Sequence, residues 1–388
     1  MSKKQLGQFF TTNSDHILAG MSKFVRDKDI TDPFAGAGDL IRWAREHGAK
    51  TVSGYDIDDS LIDNKTIFKN DTLISPKAYK FVITNPPYLN INKASSATKE
   101  KYFSNSSFED LYQISLASIM DSDEGIFIVP INFLSAENSE NIRRKFFSKF
   151  VIDHFNYFTY RVFADTTYNV IAAHYRKKRK SEESSLVAQA NIFYQDAGNK
   201  YRPICLDEEY GWAIGREHID PILKARNMGI YRLEEKHLKP GSHEVRVAWT
   251  HTKDIRNLRV SKDAAEMLKR NIILLKAIDS GSVNGQIALV DMRQHEISGL
   301  VSIPTSRHMI QLIMPDNVSL SEQEKLIGLF NGKFNDLRSQ TLSLFLTNYR
   351  DKNRKRVGFD FVYKMLSYLY ENEIDKKYNP PNTLELYV

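Results

Sequence analysis

The chain has 388 residues, of which 41% are hydrophobic and 26% are charged, a balance typical of a globular protein of two domains. A single cysteine, Cys205, excludes an intrachain disulfide and any zinc site built from several cysteines. The most apolar run, residues 125–134, is too short to cross a bilayer. We expect no signal peptide and a cytoplasmic protein.

The net charge is +6 at pH 7, and it is unevenly distributed along the chain. Residues 1–150 carry equal numbers of basic and acidic side chains, so the excess lies beyond residue 150. Much of it falls in the cluster RKKRK at 176–180. Because ordinary proteins often reach such a total, this clustering is better evidence for a polyanionic partner than the net charge itself.

The first half of the chain alternates apolar segments of strand length with segments of helical spacing. The predicted strands cover residues 29–34, 51–58, 80–84 and 125–131, and β-rich sequence continues over 151–158 and 169–176. The predicted helices cover residues 40–48, 108–120 and 139–150. Because such alternation favours a parallel sheet, we expect an α/β domain whose ligands bind at the carboxyl ends of the strands.

This alternation ends at RKKRKSEESS, residues 176–185, a charged and serine-rich stretch typical of a linker. We therefore place a domain boundary near residue 180, with domains 1–180 and 181–388. Beyond the boundary the periodicity is mixed, and residues 320–346 have helical spacing.

A glycine-containing turn, DPFAGAGDL at 32–40, joins the first strand to the first helix. Gly36 and Gly38 allow a tight turn and the close approach of a ligand to the backbone. Asp56, at the end of the next strand, can accept hydrogen bonds from ribose hydroxyls, and Asp71 follows in the next loop. A plain strand–helix turn, a solvated helix cap at Asp56 and a redox dinucleotide site remain open alternatives.

The strand at 80–84 ends in Asn85-Pro86-Pro87-Tyr88. Two prolines stop a strand, fix φ at two positions and remove two N–H donors, so the local carbonyls can only accept hydrogen bonds. With the Asn85 side-chain oxygen they form a group of acceptors suited to an –NH2 group, and Tyr88 offers a flat face for stacking. This pattern predicts a clamp for the exocyclic amine of an aromatic base.

These motifs resemble those of the γ-class adenine-N6 DNA methyltransferases of restriction–modification systems, which use S-adenosylmethionine, over about the first 180 residues. LGQFFTT at 6–12 resembles their N-terminal cofactor motif, and NPPY resembles their catalytic motif. The resemblance implies a Rossmann-like domain with a mixed, mostly parallel sheet. It implies cofactor binding by Thr11, Asp32, Pro33, Phe34, Ala35, Gly36, Gly38, Asp56, Ile57, Asp71 and Thr72, and catalysis by Asn85, Pro86, Pro87 and Tyr88.

The implied mechanism is consistent with the chemistry of an adenine amine, which is a poor nucleophile because its lone pair is delocalised into the ring. Hydrogen bonds accepted by Asn85 Oδ1 and the Pro86 carbonyl would direct that lone pair towards the methyl sulfonium. The target amine is inaccessible inside a duplex, so the base must flip out and stack between Tyr88 and Phe163.

In the same resemblance, residues 181–388 form an α+β target-recognition domain that binds double-stranded DNA. Lys352, Arg354, Lys355 and Arg356 are candidate phosphate contacts, with a solvated loop as the alternative. Arg246 and Arg307 are weaker candidates for reading bases or phosphates. No metal-ligand spacing is present among the histidines, so we expect no metal site.

The resemblance further implies a bacterial or phage-type enzyme that acts as a monomer or weak dimer, and it leaves open a cognate restriction endonuclease. Protein glutamine methyltransferases also carry NPPY, but they place a helical domain before the cofactor loop. The rRNA adenine dimethyltransferases share an LGQ opening, but their catalytic motif differs. A catalytically inactive DNA-specificity subunit is the alternative from another class. The DNA recognition sequence does not follow from the chain.

Overall fold

The computed structural model describes residues 11–163, 169–179, 182, 184–195, 197–279, 286–306, 308–348 and 354–375. The chain divides into two compact units, Met1–Ile214 and Gly215–Val388. The boundary predicted near residue 180 is therefore wrong by more than thirty residues.

The described part of the first unit contains nine strands and six α-helices. The strands are β1 Asp29–Asp32, β2 Thr51–Asp56, β3 Ile67–Lys69, β4 Tyr79–Thr84, β5 Ser122–Pro130, β6 Phe150–Phe158, β7 Val170–Lys177, β8 Ser185–Tyr194 and β9 Gly198–Asp207. The helices are α1 Ser14–Ile17, α2 Ser22–Val25, α3 Asp39–Glu46, α4 Ser96–Thr98, α5 Leu111–Ser118 and α6 Glu140–Phe147. Every strand and helix predicted for residues 29–176 is present.

All nine strands form one sheet in the order β3-β2-β1-β4-β5-β7-β6-β8-β9. Neighbours pair in parallel except at β7, which is antiparallel to β5 and β6, and at β9, which is antiparallel to β8. The prediction of a mixed, mostly parallel sheet is thus confirmed. The chain moves outward from β1 to β3 and then returns to place β4 beside β1, so the ligand-binding switch point lies between β1 and β4.

The two ends of the stretch predicted to be a linker, residues 176–185, lie in strands of this sheet. Residues 176–177 end β7, and residue 185 begins β8, which pairs in parallel with β6. Arg176 forms ion pairs with Asp153 and Glu182, and Lys177 forms one with Asp123. Arg176 and Lys177, the basic residues of this cluster that end β7, therefore pair with acidic side chains of the first unit.

Packing at the centre of the sheet requires a glycine at position 125 in β5. A Cβ atom there would lie 2.4 Å from the Val82 carbonyl oxygen of β4 and 2.8 Å from the Tyr175 ring of β7. Both contacts are too short for a real side chain, and the first is with backbone. Gly125 therefore allows β5 to lie against β4, the strand that leads into NPPY.

The second unit is α+β, as predicted. Its described strands are β10 Tyr231–Arg232, β11 Pro240–Trp249, β12 Ile255–Val260, β13 Ile273–Lys276, β14 Ala288–Asp291, β15 Gly299–Val301, β16 Met309–Ile313, β17 Thr347–Asn348 and β18 Lys355–Arg356. Its helices are α7 Arg216–Lys224, α8 Lys262–Lys269, α9 Leu320–Gln340 and α10 Phe359–Leu369.

These strands form sheets ordered β10-β16-β13-β14, β12-β11-β15 and β17-β18. Helices α7, α9 and α10 share a core with the first of these sheets, centred on Leu275, Phe330 and Met365. Within the described ranges, no helix of either unit is long and apolar enough to span a membrane.

We predict that Gly125→Ala lowers the free energy of unfolding by about 1–3 kcal/mol, because the added methyl forces β4 and β5 apart. Urea denaturation followed by tryptophan fluorescence measures the change. Gly328→Ala in α9 is the matched control, since a Cβ there meets no atom within 4 Å and alanine favours a helix. A variant Gly125→Ala as stable as the wild type would contradict the described packing of β4 against β5.

Candidate active site

The turn after β1 is shaped by the buried carboxyl group of Asp32. Its Oδ1 atom accepts hydrogen bonds from the Phe34 backbone N–H at 3.0 Å and from Thr84 Oγ1, at the end of β4, at 2.9 Å. Burial is the main cause that raises the pKa of Asp32 to about 7, and the Asp56 carboxylate contributes in the same direction. The group therefore holds together the ends of two neighbouring strands while keeping a proton more readily than an exposed carboxyl group does.

Asp56, at the end of β2, supports the glycine turn from the other side. Its Oδ2 atom accepts a hydrogen bond from the Gly36 N–H at 2.8 Å, and its Oδ1 atom accepts one from the Asp58 N–H at 2.8 Å. Gly36 and Gly38 have φ values of +52° and +77°, a region that favours glycine. Because a carboxylate oxygen can accept more than one hydrogen bond, both oxygens of Asp56 keep acceptor capacity for ribose hydroxyls.

A cleft partly open to solvent lies at the carboxyl ends of β1, β2, β3 and β4. Of the predicted site residues, the cleft brings together Pro33, Phe34, Gly36, Asp56, Ile57, Asp71, Thr72, Asn85 and Pro87. Apolar walls with carboxylates at separate points are typical of sites for nucleosides. The cleft therefore fits an adenosyl cofactor, with Asp56 and Asp71 as the acceptors.

The other predicted cofactor residues lie around this cleft. Thr72 is buried, and its Oγ1 atom donates to the Pro33 carbonyl at 2.8 Å. The Ala35 N–H donates to the Tyr55 carbonyl at 2.9 Å, and Gly38 is the N-cap of α3. Thr11 is buried and contacts the Asn85 side chain, so its described contact is with the catalytic motif. The rest of the predicted N-terminal motif, residues 6–10, lies outside the described residues.

Asn85 follows directly after β4 and is held at both ends of its amide. Its Nδ2 atom donates to Thr11 Oγ1 at 3.0 Å, and its Oδ1 atom accepts a hydrogen bond from the Tyr88 hydroxyl. The side chain is 9% exposed and lines the cleft. The Thr11 contact fixes the orientation of the amide, with the nitrogen towards Thr11 and the oxygen towards Tyr88, and the role of this oxygen as the acceptor of a target amine stays a prediction.

Tyr88 is 5% exposed, and its hydroxyl also lies 2.8 Å from the Ile128 carbonyl oxygen of β5. Burial raises the pKa of Tyr88 well above its ordinary value, so the hydroxyl remains a proton donor. Pro86, between Asn85 and Pro87, is buried as well. The stacking role of Tyr88 and the acceptor role of the Pro86 carbonyl stay predictions.

Phe163, the predicted second stacking residue, is 6% exposed and follows β6. Strands β5 and β6 are both antiparallel to β7, so they run in the same direction. The end of β6 that precedes Phe163 therefore lies at the same edge of the sheet as Asn85. Its pairing with Tyr88 across a base stays a prediction.

The candidate DNA contacts of the second unit lie partly outside the described residues. Lys352 and Arg307 lie outside the described residues, whereas Arg354, Lys355 and Arg356 are half-buried. Burial, assisted by Arg338, lowers the pKa of Lys355. Arg246 is exposed on β11. No group of three or more potential metal ligands occurs in the described ranges.

Sequence reasoning missed four residues of the cleft, which are Asn70, Leu73, Tyr102 and Leu111. Asn70 and Leu73 flank the predicted Asp71 and Thr72, and proximity to a motif could have suggested them. Tyr102 lies thirty-one residues beyond Asp71, in a segment with no motif. Its hydroxyl donates to Asp71 Oδ2 at 3.0 Å, a contact that only the fold creates.

Residues 31–163 match the sequence model of the family described as Eco57I restriction-modification methylase. No curated protein matches the chain. Enzymes of this kind use S-adenosylmethionine as cofactor, and the cleft built by Gly36, Asp56 and Asp71 fits that molecule.

Three solved structures are similar to parts of the chain. MmeI, a type IIL restriction-modification enzyme in complex with DNA, is 13% identical over 91% of this chain and 64% of that chain, with a TM-score of 0.48. The methyltransferase subunit of a type I restriction-modification system from Streptococcus thermophilus is 16% identical over 50% of each chain, with a TM-score of 0.34.

A Pyrococcus horikoshii protein, provisionally described as an RNA methyltransferase, is 19% identical over 46% of this chain and 91% of that chain, with a TM-score of 0.35. The chain thus spans half to two thirds of the two restriction–modification proteins. With TM-scores below 0.5, these similarities add no argument about activity to the family match.

We predict that replacing Asp32 with asparagine removes a pH-dependent destabilisation. The pKa of Asp32 is about 7 in the folded chain, above the ordinary value of 3.8 for an aspartate. Between about pH 4 and pH 7 the folded state therefore binds more protons at this site than the unfolded state, and stability falls as the pH rises. Across that window Asp32→Asn gains up to about 4 kcal/mol relative to the wild type.

Melting temperatures measured at pH 4.5, 6 and 8 test this prediction. Asp29→Asn is the matched control, because Asp29 is an exposed carboxyl group on the same strand. A constant difference between Asp32→Asn and the wild type at all three pH values would show that Asp32 titrates in its ordinary range.

Proposed function

We propose, from the match of residues 31–163 to the model of the Eco57I restriction-modification methylase family, that the chain is a site-specific DNA adenine-N6 methyltransferase. It transfers a methyl group from S-adenosylmethionine to a flipped-out adenine in duplex DNA. The proposal makes the chain the modification enzyme of a restriction–modification system.

One observation supports the proposal that the group accepting the methyl is an amine. Asn85 and Pro87 line the same cleft as Gly36, Asp56 and Asp71, so the NPPY motif borders the cofactor site directly. Pro86 and Pro87 have no N–H to donate, and Asn85 Nδ2 donates to Thr11, so the acceptors of this motif favour a substrate that presents –NH2 over one that presents a carbonyl oxygen. No cysteine lies in the cleft, and the chain's one thiol, Cys205, is on β9. Covalent attack by a thiolate on a pyrimidine ring is therefore not a route available to this site.

The hydrogen bonds of Asn85 and Tyr88 allow the Tyr88 hydroxyl to change its acceptor when a substrate binds. The Tyr88 hydroxyl has two acceptors within reach, Asn85 Oδ1 and the Ile128 carbonyl oxygen, but only one proton to donate. When a target amine donates to Asn85 Oδ1, the hydroxyl keeps the Ile128 carbonyl as its acceptor. The site can therefore admit the amine without leaving a buried polar atom unsatisfied.

S-adenosylmethionine supplies the methyl group when bound. Asn85 Oδ1 and the Pro86 carbonyl accept the two N–H groups of the target amine, which directs the nitrogen lone pair towards the cofactor. The nitrogen would gain a bond to the methyl carbon as the sulfur–methyl bond breaks, S-adenosylhomocysteine would leave, and the proton released by the nitrogen would pass to water. Asn85 acts through orientation and electrostatics, because its amide exchanges no proton in this step.

The second unit supplies DNA recognition in this proposal. Arg246 and Arg259 are exposed and lie on the same face of the β11–β12 pair, since Arg246 pairs with Asn257 and Glu244 with Arg259. Guanidinium groups spaced along a β-ribbon suit contacts with phosphates or with guanine edges. Arg354, Lys355 and Arg356 are further candidates for contacts with double-stranded DNA in this proposal.

We expect Asn85→Ala to lower the rate of methyl transfer by about 10²–10³-fold, because the main acceptor for the target amine is lost. The measurement is label transferred from S-adenosylmethionine to unmethylated genomic DNA, with nucleoside analysis and single-molecule sequencing of the product. Asn141→Ala is the matched control, since Asn141 is exposed on α6. Binding of S-adenosylhomocysteine should be nearly unchanged in both variants.

Label in N6-methyladenine at one recurring short sequence, lost in Asn85→Ala and retained in Asn141→Ala, supports the proposal and identifies the recognition site. Label found only in tRNA, rRNA or a protein would overturn DNA as substrate while keeping the cofactor site. Failure of the wild type to bind S-adenosylhomocysteine would instead favour an inactive specificity subunit.

A further inference from the structure

The connection between β4 and α5 places two side chains that no motif accounts for, Lys101 and Tyr102, against Asp71, and Tyr102 also lines the cofactor cleft. Within it, residues Lys99–Phe103 form a single turn of π-helix directly after α4. Such turns are rare and occur frequently at functional sites, because the extra residue changes the direction of neighbouring side chains. Here the turn places Lys101 and Tyr102 next to each other against the same carboxylate, that of Asp71.

Both side chains reach one oxygen of that carboxylate. The Tyr102 hydroxyl donates to Asp71 Oδ2 at 3.0 Å, and Lys101 Nζ lies 2.7 Å from the same atom. The Lys101 ammonium also lies over the Tyr102 ring, 4.8 Å from its centroid. Within the described residues, Asp71 Oδ1 has no hydrogen-bond partner. Two donors on Oδ2 thus fix the rotation of the carboxylate and leave Oδ1 as an oriented acceptor.

The two contacts differ in burial. Tyr102 is 8% exposed and packs in a small apolar cluster with Leu89, Phe103 and Leu111. The Lys101 side chain is about half exposed and approaches Asp71 from the solvent side. The tyrosine contact is therefore held by packing, whereas the lysine contact is screened by water and weaker.

We propose that Tyr102, assisted by Lys101, positions the Asp71 carboxylate to select a 6-amino purine in the cofactor. This inference rests on the proposed function, because it assigns S-adenosylmethionine to the cleft. Asp71 Oδ1 accepts the exocyclic N–H of the cofactor adenine, and the Tyr102 ring borders the same part of the cleft. Tyr102 is a positioning residue in this scheme, since it acts on the adenine through Asp71.

A fixed carboxylate distinguishes an amine from a carbonyl at purine position 6. An adenosyl ligand donates a hydrogen bond to Oδ1, whereas an inosyl ligand presents a second oxygen to the carboxylate. A site built to satisfy a buried hydrogen-bonding group rejects a ligand that leaves it unpaired. If the carboxylate could rotate freely, it would reorient towards solvent and part of this selectivity would be lost.

The test compares two probes, S-adenosylhomocysteine and S-inosylhomocysteine, binding to the full chain by isothermal titration calorimetry. We expect the wild type to prefer the adenosyl probe by at least about 10²-fold. Tyr102→Phe keeps the ring and removes the hydroxyl, and it should weaken adenosyl binding about 5–10-fold while changing inosyl binding less than about twofold. Lys101→Met should act in the same direction with a smaller effect, and Lys101→Arg should restore most of the preference.

Tyr112→Phe is the matched control, because it removes a buried hydroxyl that contacts Ser139 Oγ and does not line the cofactor cleft. It should leave the preference between the two probes unchanged. If Tyr102→Phe weakens both probes equally, or neither, Tyr102 is only a packing residue and the inference is wrong. If the wild type binds neither probe, the cofactor assignment itself fails, and the proposed function fails with it.

Discussion

A hydrogen bond from Thr84 Oγ1 to Asp32 Oδ1 joins the ends of β1 and β4, and the site depends on it. On the β1 side, the same Asp32 oxygen accepts the Phe34 N–H and so shapes the turn that leads to Gly36. On the β4 side, Thr84 is the residue before Asn85. The bond therefore sets the position of the glycine turn relative to Asn85, the proposed acceptor of the target amine. Its burial makes this position rigid, because no water is available to replace either partner.

The parts of the fold that follow local rules could be predicted from the sequence. Strands β4 and β5 contain apolar runs of the right length, β1 and β2 are short segments that each end at an aspartate, and α3 is followed by Gly48, at the predicted end of that helix, with a φ of +88°. The site residues at their carboxyl ends could be predicted because parallel strands bring these ends to one edge. The burial of Asp32 and the contact between Thr11 and Asn85 depend on packing between distant segments, which no local pattern contains.

The wrong predictions concern segments in which pairing between residues distant in the chain, and not the local amino-acid composition, decides the structure. The stretch after residue 176 has the composition of a linker, yet β8 pairs with β6 and carries β9 into the sheet. Arg176 is partnered by Asp153, which lies on β6 and cannot be matched to it by spacing. Tyr102 was missed for the same reason, since its partner Asp71 precedes it by a strand and a proline turn. In each case the deciding interaction joins residues that are far apart in the chain.

The two outer strands of the nine-stranded sheet, β3 and β9, differ in length, but each has features that discourage another chain from pairing with it. β3 has only three residues, so it offers few backbone groups to another strand. β9 has ten, but Pro203 interrupts its row of N–H donors, and Lys200 places a charge on it. Short strands, prolines and lysines at sheet edges discourage another chain from adding a strand. A sheet of this width therefore carries its own protection against edge-to-edge aggregation during synthesis and storage.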